Sequence, residues 1–266
     1  MSLFKKKKKD KERMDINALA KLIGKEDAEK LKQLIKSEEA KPPKIAVIGK
    51  SGVGKTTTIN NLFDATWKTS HSVAGTKKAQ LKNFELAGGG TLSIYDMPGL
   101  GEDIEEDKVY EEIYRKILPD VDVVLWVIQA NARDLAEDQR IIKEIVLDSL
   151  KESQDKLVIG LNQVDKIGPG KWNDKLNFPS EEQEKSIEKR SNDIIEKLSS
   201  VTNIKKENFQ YYSAIKRFRL YPLLTTVIKA ADDLGWKFPI QPKDQFELAD
   251  KEVQEYVKNL MNKKSK

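Results

Sequence analysis

Apolar residues fall into blocks of two kinds that alternate along the chain. Ile45-Ala46-Val47-Ile48 and Val121–Ile128 (VDVVLWVI) are short runs that are apolar on both faces, as central parallel strands must be. Lys156–Leu161 and Asn208–Tyr212 are predicted as two further strands. Gln80–Leu86 alternates, with Leu81, Phe84 and Leu86 apolar, and Thr91–Tyr95 follows Gly88-Gly89-Gly90, which predicts an antiparallel hairpin. Between these blocks, Lys55–Phe63, Asp107–Leu118, Leu135–Leu150, Ser180–Leu198 and Leu220–Leu234 read as helices, the second stopped near Pro119. Residues 64–79 are polar and Ser/Thr-rich and predict a loop. The alternation predicts an α/β fold, a doubly wound, mostly parallel six-stranded sheet with one antiparallel edge strand.

Both ends differ from this pattern. Ile16, Leu19, Leu22 and Ile23, then Leu31, Leu34 and Ile35, stand at helical spacing on either side of Gly24, predicting two short amphipathic helices before Pro42-Pro43. After Pro239 and Pro242 a polar helix is predicted over Phe246–Met261. The expected organisation is a basic tail (1–13), N-terminal helices (14–43), a main domain (44–235), and a linker with a C-terminal helix (236–266).

The net charge of +5 belongs to the tail, where seven basic side chains face two acidic ones and the remaining residues sum to zero. That segment is either a solvated tail or an electrostatic contact to anionic membrane, RNA or ribosome. With 34% charged residues and a mean hydropathy of −0.60, no stretch has the length of an apolar membrane span, and no signal-peptide pattern is expected. The absence of cysteine excludes disulfides and thiolate metal sites and fits a cytoplasmic protein, peripheral membrane contact remaining open.

Candidate chemistry gathers where strands end. Gly49-Lys50-Ser51-Gly52-Val53-Gly54-Lys55-Thr56-Thr57 lies between the first strand and its helix, the context in which G-x-x-x-x-G-K-[ST] cradles phosphate. Glycines let successive N–H groups point inward, Lys55 adds full charge for the β- and γ-phosphates, and the Thr56 hydroxyl suits Mg2+. Asp96-Met97-Pro98-Gly99 closes the third strand: Asp96 is placed to hold Mg2+ through water and the Gly99 N–H to touch a γ-phosphate. Asn162-Gln163-Val164-Asp165 ends the Lys156–Leu161 strand. There, a carboxylate at Asp165 accepts from guanine N1–H and the 2-amino group, while Asn162 braces the loop. Ser213-Ala214 follows the last strand, where the Ala214 N–H is expected to meet guanine O6.

In this order the boxes resemble the Ras-like translation-factor-related P-loop GTPases, specifically the Era-like group and its bacterial ribosome-binding-type branch. The stretch LWVIQANARDLAEDQRII and the loop VDKIGPGKWNDKLNFPSEEQ are similar to that branch, and GKSGVGKTTTINNLF also resembles septins and the chloroplast-import and immune-associated GTPases. The resemblance covers about residues 44–235. It implies GTP/GDP and Mg2+ as ligands, GTP hydrolysis by positioning, and Thr76 as the threonine completing Mg2+ coordination, with Thr69, Ser70 and Ser72 as alternatives. It also implies a nucleotide-dependent homodimer in which Arg133 stabilises transition-state charge in the partner, against a plain surface arginine paired with Asp134 or Glu137. The lone His71 has no fixed role.

The chain departs from the pattern in four places. Leu100 replaces the water-orienting glutamine of Ras-like proteins, which implies slow hydrolysis alone or none, as in a nucleotide-gated interaction module. Gly52 stands where potassium-activated relatives carry asparagine. Gln163 and Ile215 stand where lysines usually cover the base, which implies weaker guanine binding unless Lys166 or Lys216 substitutes, and keeps ATP as an alternative.

Overall fold

Strand β1 (Lys44–Ile48) occupies the middle of the sheet because both of its faces are apolar. Ile45 and Val47 face one side, Ala46 and Ile48 the other, and all four are at most 1% exposed. The structure, a computed structural model, describes residues 26, 43–63, 78–85, 91–150, 154–231 and 245–264. Apart from Glu26, these belong to one compact unit, Pro43–Lys266. The basic tail, the N-terminal helices (Glu26 apart), most of the loop 64–79 including Thr76, and the linker before residue 245 lie outside the described residues.

The remaining strands are β2 (Gln80–Glu85), β3 (Thr91–Asp96), β4 (Val123–Gln129), β5 (Leu157–Asn162), β6 (Trp172–Asn173), β7 (Phe178–Pro179) and β8 (Phe209–Tyr211). Six form one sheet in the order β2-β3-β1-β4-β5-β8. Only edge strand β2 runs antiparallel to its neighbour, Gln80 lying opposite Asp96 and Glu85 opposite Thr91. The other pairings are parallel, so β1, β3, β4 and β5 present their C-terminal ends on one side, where α/β folds bind ligands.

Helices cover both faces, as a parallel sheet needs. Ile59 and Leu62 of α1 (Lys55–Phe63) share one apolar layer with Ile45, Val47, Val123 and Leu125. The opposite layer joins Ala46, Ile48, Val124 and Trp126 to Tyr114 of α2 (Ile104–Ile117) and Ile141 of α3. Helix α3 runs as Ala136–Ile141, a π-helical turn Ile142–Val146 and Leu147–Ser149. Ile187 and Ile194 of α4 (Glu181–Leu198) join this second layer, and Leu223 and Val227 of α5 (Leu220–Ala230) the first. Helix α6 (Lys251–Lys264) follows. Among the described residues no helix is long and apolar enough to cross a membrane.

The predicted sheet, hairpin and alternation of elements are all present, and the differences have local causes. Helix α2 starts at Ile104 and not at Asp107, because the Asp103 carboxylate caps it, accepting from the N–H groups of Glu105 and Glu106 at 2.9 and 3.1 Å. The predicted helix Phe246–Met261 is a 3-10 turn, Gln245–Leu248, followed by α6. The break falls at Asp250, whose N–H goes to Lys175 O at 2.9 Å. The two-residue strands β6 and β7 form a hairpin within what reads as loop.

Candidate functional site

The loop between β1 and α1 is tightly enclosed. A Cβ on Gly54, which has a φ of +92°, would lie 2.6 Å from Asn162 Nδ2, and one on Gly99 would lie 2.7 Å from Ser51 Cα. Glycine is thus required at Gly54 by conformation and by space, and at Gly99 by the close approach of Asp96–Gly99 to the loop.

Lys55 points back into the loop, where its Nζ donates to the carbonyls of Gly49 and Lys50 at 3.1 and 2.9 Å. Burial lowers its pKa to about 8, opposed by the negative charges of Asp96 and Glu102. Between about pH 8 and the unfolded lysine range the unfolded chain carries the extra proton, so this group makes stability rise with pH there. A bound polyphosphate reverses the preference by favouring the ammonium. GTP binding near pH 8 should therefore take up roughly half a proton, measured by calorimetry in buffers of different ionisation enthalpy. No uptake between pH 8 and 9 would mean that phosphate does not meet Lys55.

Thr56 Oγ1 donates to Asp96 Oδ2 at 2.6 Å, and Asp96 is buried at the end of β3. Two hard oxygen donors converge there, the donor type that Mg2+ takes. Thr57 is half-buried in the first turn of α1.

Two predicted loop residues have their groups engaged. Lys50 pairs with Asp138 Oδ2 at 2.8 Å and donates to Asp134 O at 3.1 Å. Asp138 is buried on α3 and its Oδ1 accepts from Trp126 Nε1 at 3.0 Å. Burial raises its pKa, and the Lys50 ammonium opposes that. Ser51 gives its N–H to Leu100 O at 2.8 Å and its hydroxyl to Glu102, so the chain after Gly99 lies over the mouth of the loop. The Leu100 side chain is 1% exposed and belongs to the apolar layer of Met97 and Tyr110, turned away from that mouth.

Asn162, 1% exposed at the end of β5, joins two loops: its Nδ2 donates to Val53 O at 2.8 Å and its Oδ1 accepts from Ala214 N at 2.9 Å. Asn162 thus ties the phosphate loop to the turn after β8, and the Ala214 N–H, read as the donor to guanine O6, is given to Asn162. Asn61 of α1 holds the Ala214 carbonyl at 2.8 Å. Ser213 Oγ donates to Asp165 Oδ1 at 2.6 Å, bringing the segments Asn162–Asp165 and Ser213-Ala214 together across 48 residues. Gln163 is left-handed, with a φ of +64°, and its Nε2 reaches Gly52 O at 3.0 Å. Of the two lysines considered as base covers, Lys166 donates to Gln163 Oε1 at 2.8 Å, whereas Lys216 pairs with Asp174 at 2.9 Å. Arg133 is exposed, while Asp134 Oδ1 accepts from Ala136 N and Glu137 pairs with Arg140. Thr76 lies outside the described residues.

Asn61, Asn177, Gln183 and Asp138 were not singled out from sequence. Each is a polar residue whose partner is fixed only by the fold, and no spacing announces it.

Residues 44–163 match the model of the 50S ribosome-binding GTPase family. The chain is 29% identical over 163 residues to YfjP of Escherichia coli strain K12, an uncharacterised protein, covering 61% of this chain and 55% of that one. It is 28% identical over 131 residues to the GTPase Era of Aquifex aeolicus, covering 48% and 42%. The matches span about half the length of these curated relatives. A solved structure of a point variant of Aquifex aeolicus Era bound to GDP·AlF4− superposes with a TM-score of 0.54 at 23% identity, covering 71% of this chain and 57% of that one. Arabidopsis thaliana Toc33 in complex with Mg2+ and GMPPNP gives 0.53 at 17% identity, covering 75% and 88%. Strand order, phosphate loop and family match agree: the domain has the P-loop GTPase fold, and residues 44–163 are similar to the 50S ribosome-binding GTPase family.

Proposed function

We propose that this chain binds GTP with Mg2+ and hydrolyses it to GDP and phosphate, as a switch or assembly GTPase whose domain runs over about residues 44–235. The carrying observation is the Val53–Asn162–Ala214 link beside the Ser213–Asp165 pair, which fixes a purine-reading carboxylate to the phosphate cradle. In this reading Lys55 and the amides from Gly49 to Thr57 hold phosphate, and Asp165 accepts from guanine with Asn162 and Ser213 as braces. Gln163 would stand where a lysine usually covers the base, and the Ala214 N–H would have to leave Asn162 to serve guanine O6. Thr56 and Asp96, with Thr76 in the triphosphate state, would hold Mg2+, which neutralises charge between the β- and γ-phosphates. The Gly99 N–H would meet the γ-phosphate.

Catalysis is then electrostatic positioning, with no protein nucleophile. Because Leu100 is turned into the core, the isolated domain should be slow and the missing group should come from a second molecule. Exposed Arg133 is the candidate in a nucleotide-dependent homodimer. For the chloroplast translocon components, Toc33 of Arabidopsis thaliana among them, dimerization is important for GTPase activity, which supports this arrangement. Phosphate release per molecule should rise with protein concentration, and Arg133→Ala should flatten that rise. Concentration-independent turnover in both proteins would remove the dimer while leaving GTP binding untouched. GTP bound without turnover would favour the second reading, a nucleotide-gated interaction module, which the buried Leu100 also suits.

A further inference from the structure

Asp165 is held from two sides, its carbonyl by Gln183 at the start of α4 and its carboxylate by Ser213 just after β8. Gln183, buried in the first turn of α4, donates from Nε2 to the carbonyls of Asp165 and Ile167 at 3.0 and 2.8 Å. The side-chain hold passes through Ser213, which sits at the start of a tight turn. Ser213 and Phe218 exchange N–H···O bonds of 3.1 and 3.0 Å, and the Lys216 N–H reaches Ser213 Oγ at 3.2 Å.

Asn61 and Asn162 hold that turn at Ala214, and Asn177 holds its far side at Lys216. Asn177 is 2% exposed, lies at the tip of the β6–β7 hairpin and is left-handed, with a φ of +51°. Its Nδ2 donates to Lys216 O at 2.9 Å and to Gln245 O at 2.6 Å, and its Oδ1 accepts from Trp172 Nε1 at 3.1 Å. Both amide donors are committed, one to the purine-reading turn and one to the C-terminal segment. The rings repeat the same three-way junction. Trp172 and Phe178 meet Phe218 edge-on at 5.3 and 5.1 Å, and Phe178 stacks on Phe246 at 6.4 Å. Gln245 Oε1 adds a contact to Arg219 N at 3.4 Å, and Asp250 N one to Lys175 O at 2.9 Å.

We propose that Asn177 is a positioning residue for purine selection, and that through it the C-terminal segment beginning at Gln245 governs how well Asp165 reads guanine. The inference rests on the guanine reading above. A continuous path joins Gln245 O, Asn177, Lys216, Ser213 and Asp165, in which Asn177 gives its own polar atoms to Lys216, Gln245 and Trp172. The path acts on geometry. A carboxylate that swings by a fraction of an ångström keeps its bond to N1–H but loses the second, more demanding one to the 2-amino group.

Inosine diphosphate lacks that amino group, so the ratio of GDP to IDP affinity reads the second bond directly. Calorimetry with Mg2+ and each nucleotide would compare the full-length parent with Asn177→Gly, Asn177→Asp and Phe246→Ala. Glycine accepts the left-handed backbone and removes both donors, whereas aspartate keeps the acceptor for Trp172 and opposes two carbonyls. Phe246→Ala loosens the C-terminal segment without touching the turn. The parent should favour GDP. Asn177→Gly and Asn177→Asp should lower the ratio about fivefold, one hydrogen bond's worth, with IDP affinity changed less than about twofold. Phe246→Ala should shift the ratio in the same direction. An unchanged ratio in folded Asn177→Gly and in Phe246→Ala would overturn the inference, since a purely structural role lowers thermal stability and leaves the ratio alone. If neither Asn177 variant folds, Phe246→Ala decides in the same way. A parent ratio of one would instead refute the guanine reading itself.

Discussion

Lys55→Ala should weaken GTP and GDP binding about a thousandfold, the equivalent of about 4 kcal/mol, measured by calorimetry or by displacement of a fluorescent nucleotide. The size follows from where the ammonium lies. It is 6% exposed and held by two backbone carbonyls of the phosphate loop, so a bound phosphate meets it with little intervening water. Alanine would leave the same phosphate facing those carbonyls and the carboxylate of Asp96, which repel it. Lys50, the other lysine of the loop, provides the control, because its charge is taken by Asp138 and its removal strips the cradle of no free cation. Equal losses from Lys50→Ala and Lys55→Ala would mean that the loop works through net charge and not through a placed ammonium. Unchanged binding in Lys55→Ala would remove the basis of the functional reading.

Asp165→Asn should exchange one purine for another. Guanine offers two donors on one edge, N1–H and the 2-amino group, and only a carboxylate accepts both. An asparagine presents one acceptor and one donor, which matches xanthine, where an oxygen replaces the amino group. One hydrogen bond is lost and the other loses its charged acceptor, so GDP affinity should fall on the order of 10²-fold and xanthosine diphosphate should become the better ligand. The Ser213 hydroxyl, 2.6 Å from Oδ1, remains to hold the amide oxygen and fix which way the amide faces. GDP affinity maintained in Asp165→Asn, with no gain for the xanthine nucleotide, would mean that the base is read elsewhere.

What sequence reveals here depends on whether chemistry dictates the residue type. On the proposed reading, the phosphate loop, Asp96 and Asp165 are legible because curled amides, a metal and a donor–donor purine edge would each demand a particular side chain at the end of a strand. Strands β1, β4 and β5 are legible because burial on both faces leaves continuous apolar runs, and Gln80–Leu86 because one exposed edge leaves alternation. The braces are not legible. Lys50 finds Asp138 across 88 positions, Asn162 finds Ala214 across 52, and Asn177 finds Gln245 across 68; any surface polar residue has the same composition. Two-residue strands such as β6 and β7 are shorter than any period, so the hairpin bearing Asn177 reads as loop. The start of α2 was available in principle, since Asp103 followed by three acidic residues is a capping signal, but the apolar spacing used to place the helix begins later.

The chain after Gly99 shares Ser51 with whatever occupies the mouth of the loop. On the GTP reading, an incoming terminal phosphoryl group would compete for the same amide and hydroxyl that Leu100 and Glu102 hold, and those two residues stand immediately ahead of the Asp103 cap. Gly101 is in turn fastened to Asp107 in the first turn of α2, and the Tyr114 hydroxyl to Pro98 O at 2.6 Å. On that reading, counting phosphates and moving a helix would be one mechanical event: the protein would sense the third phosphate by letting go of itself.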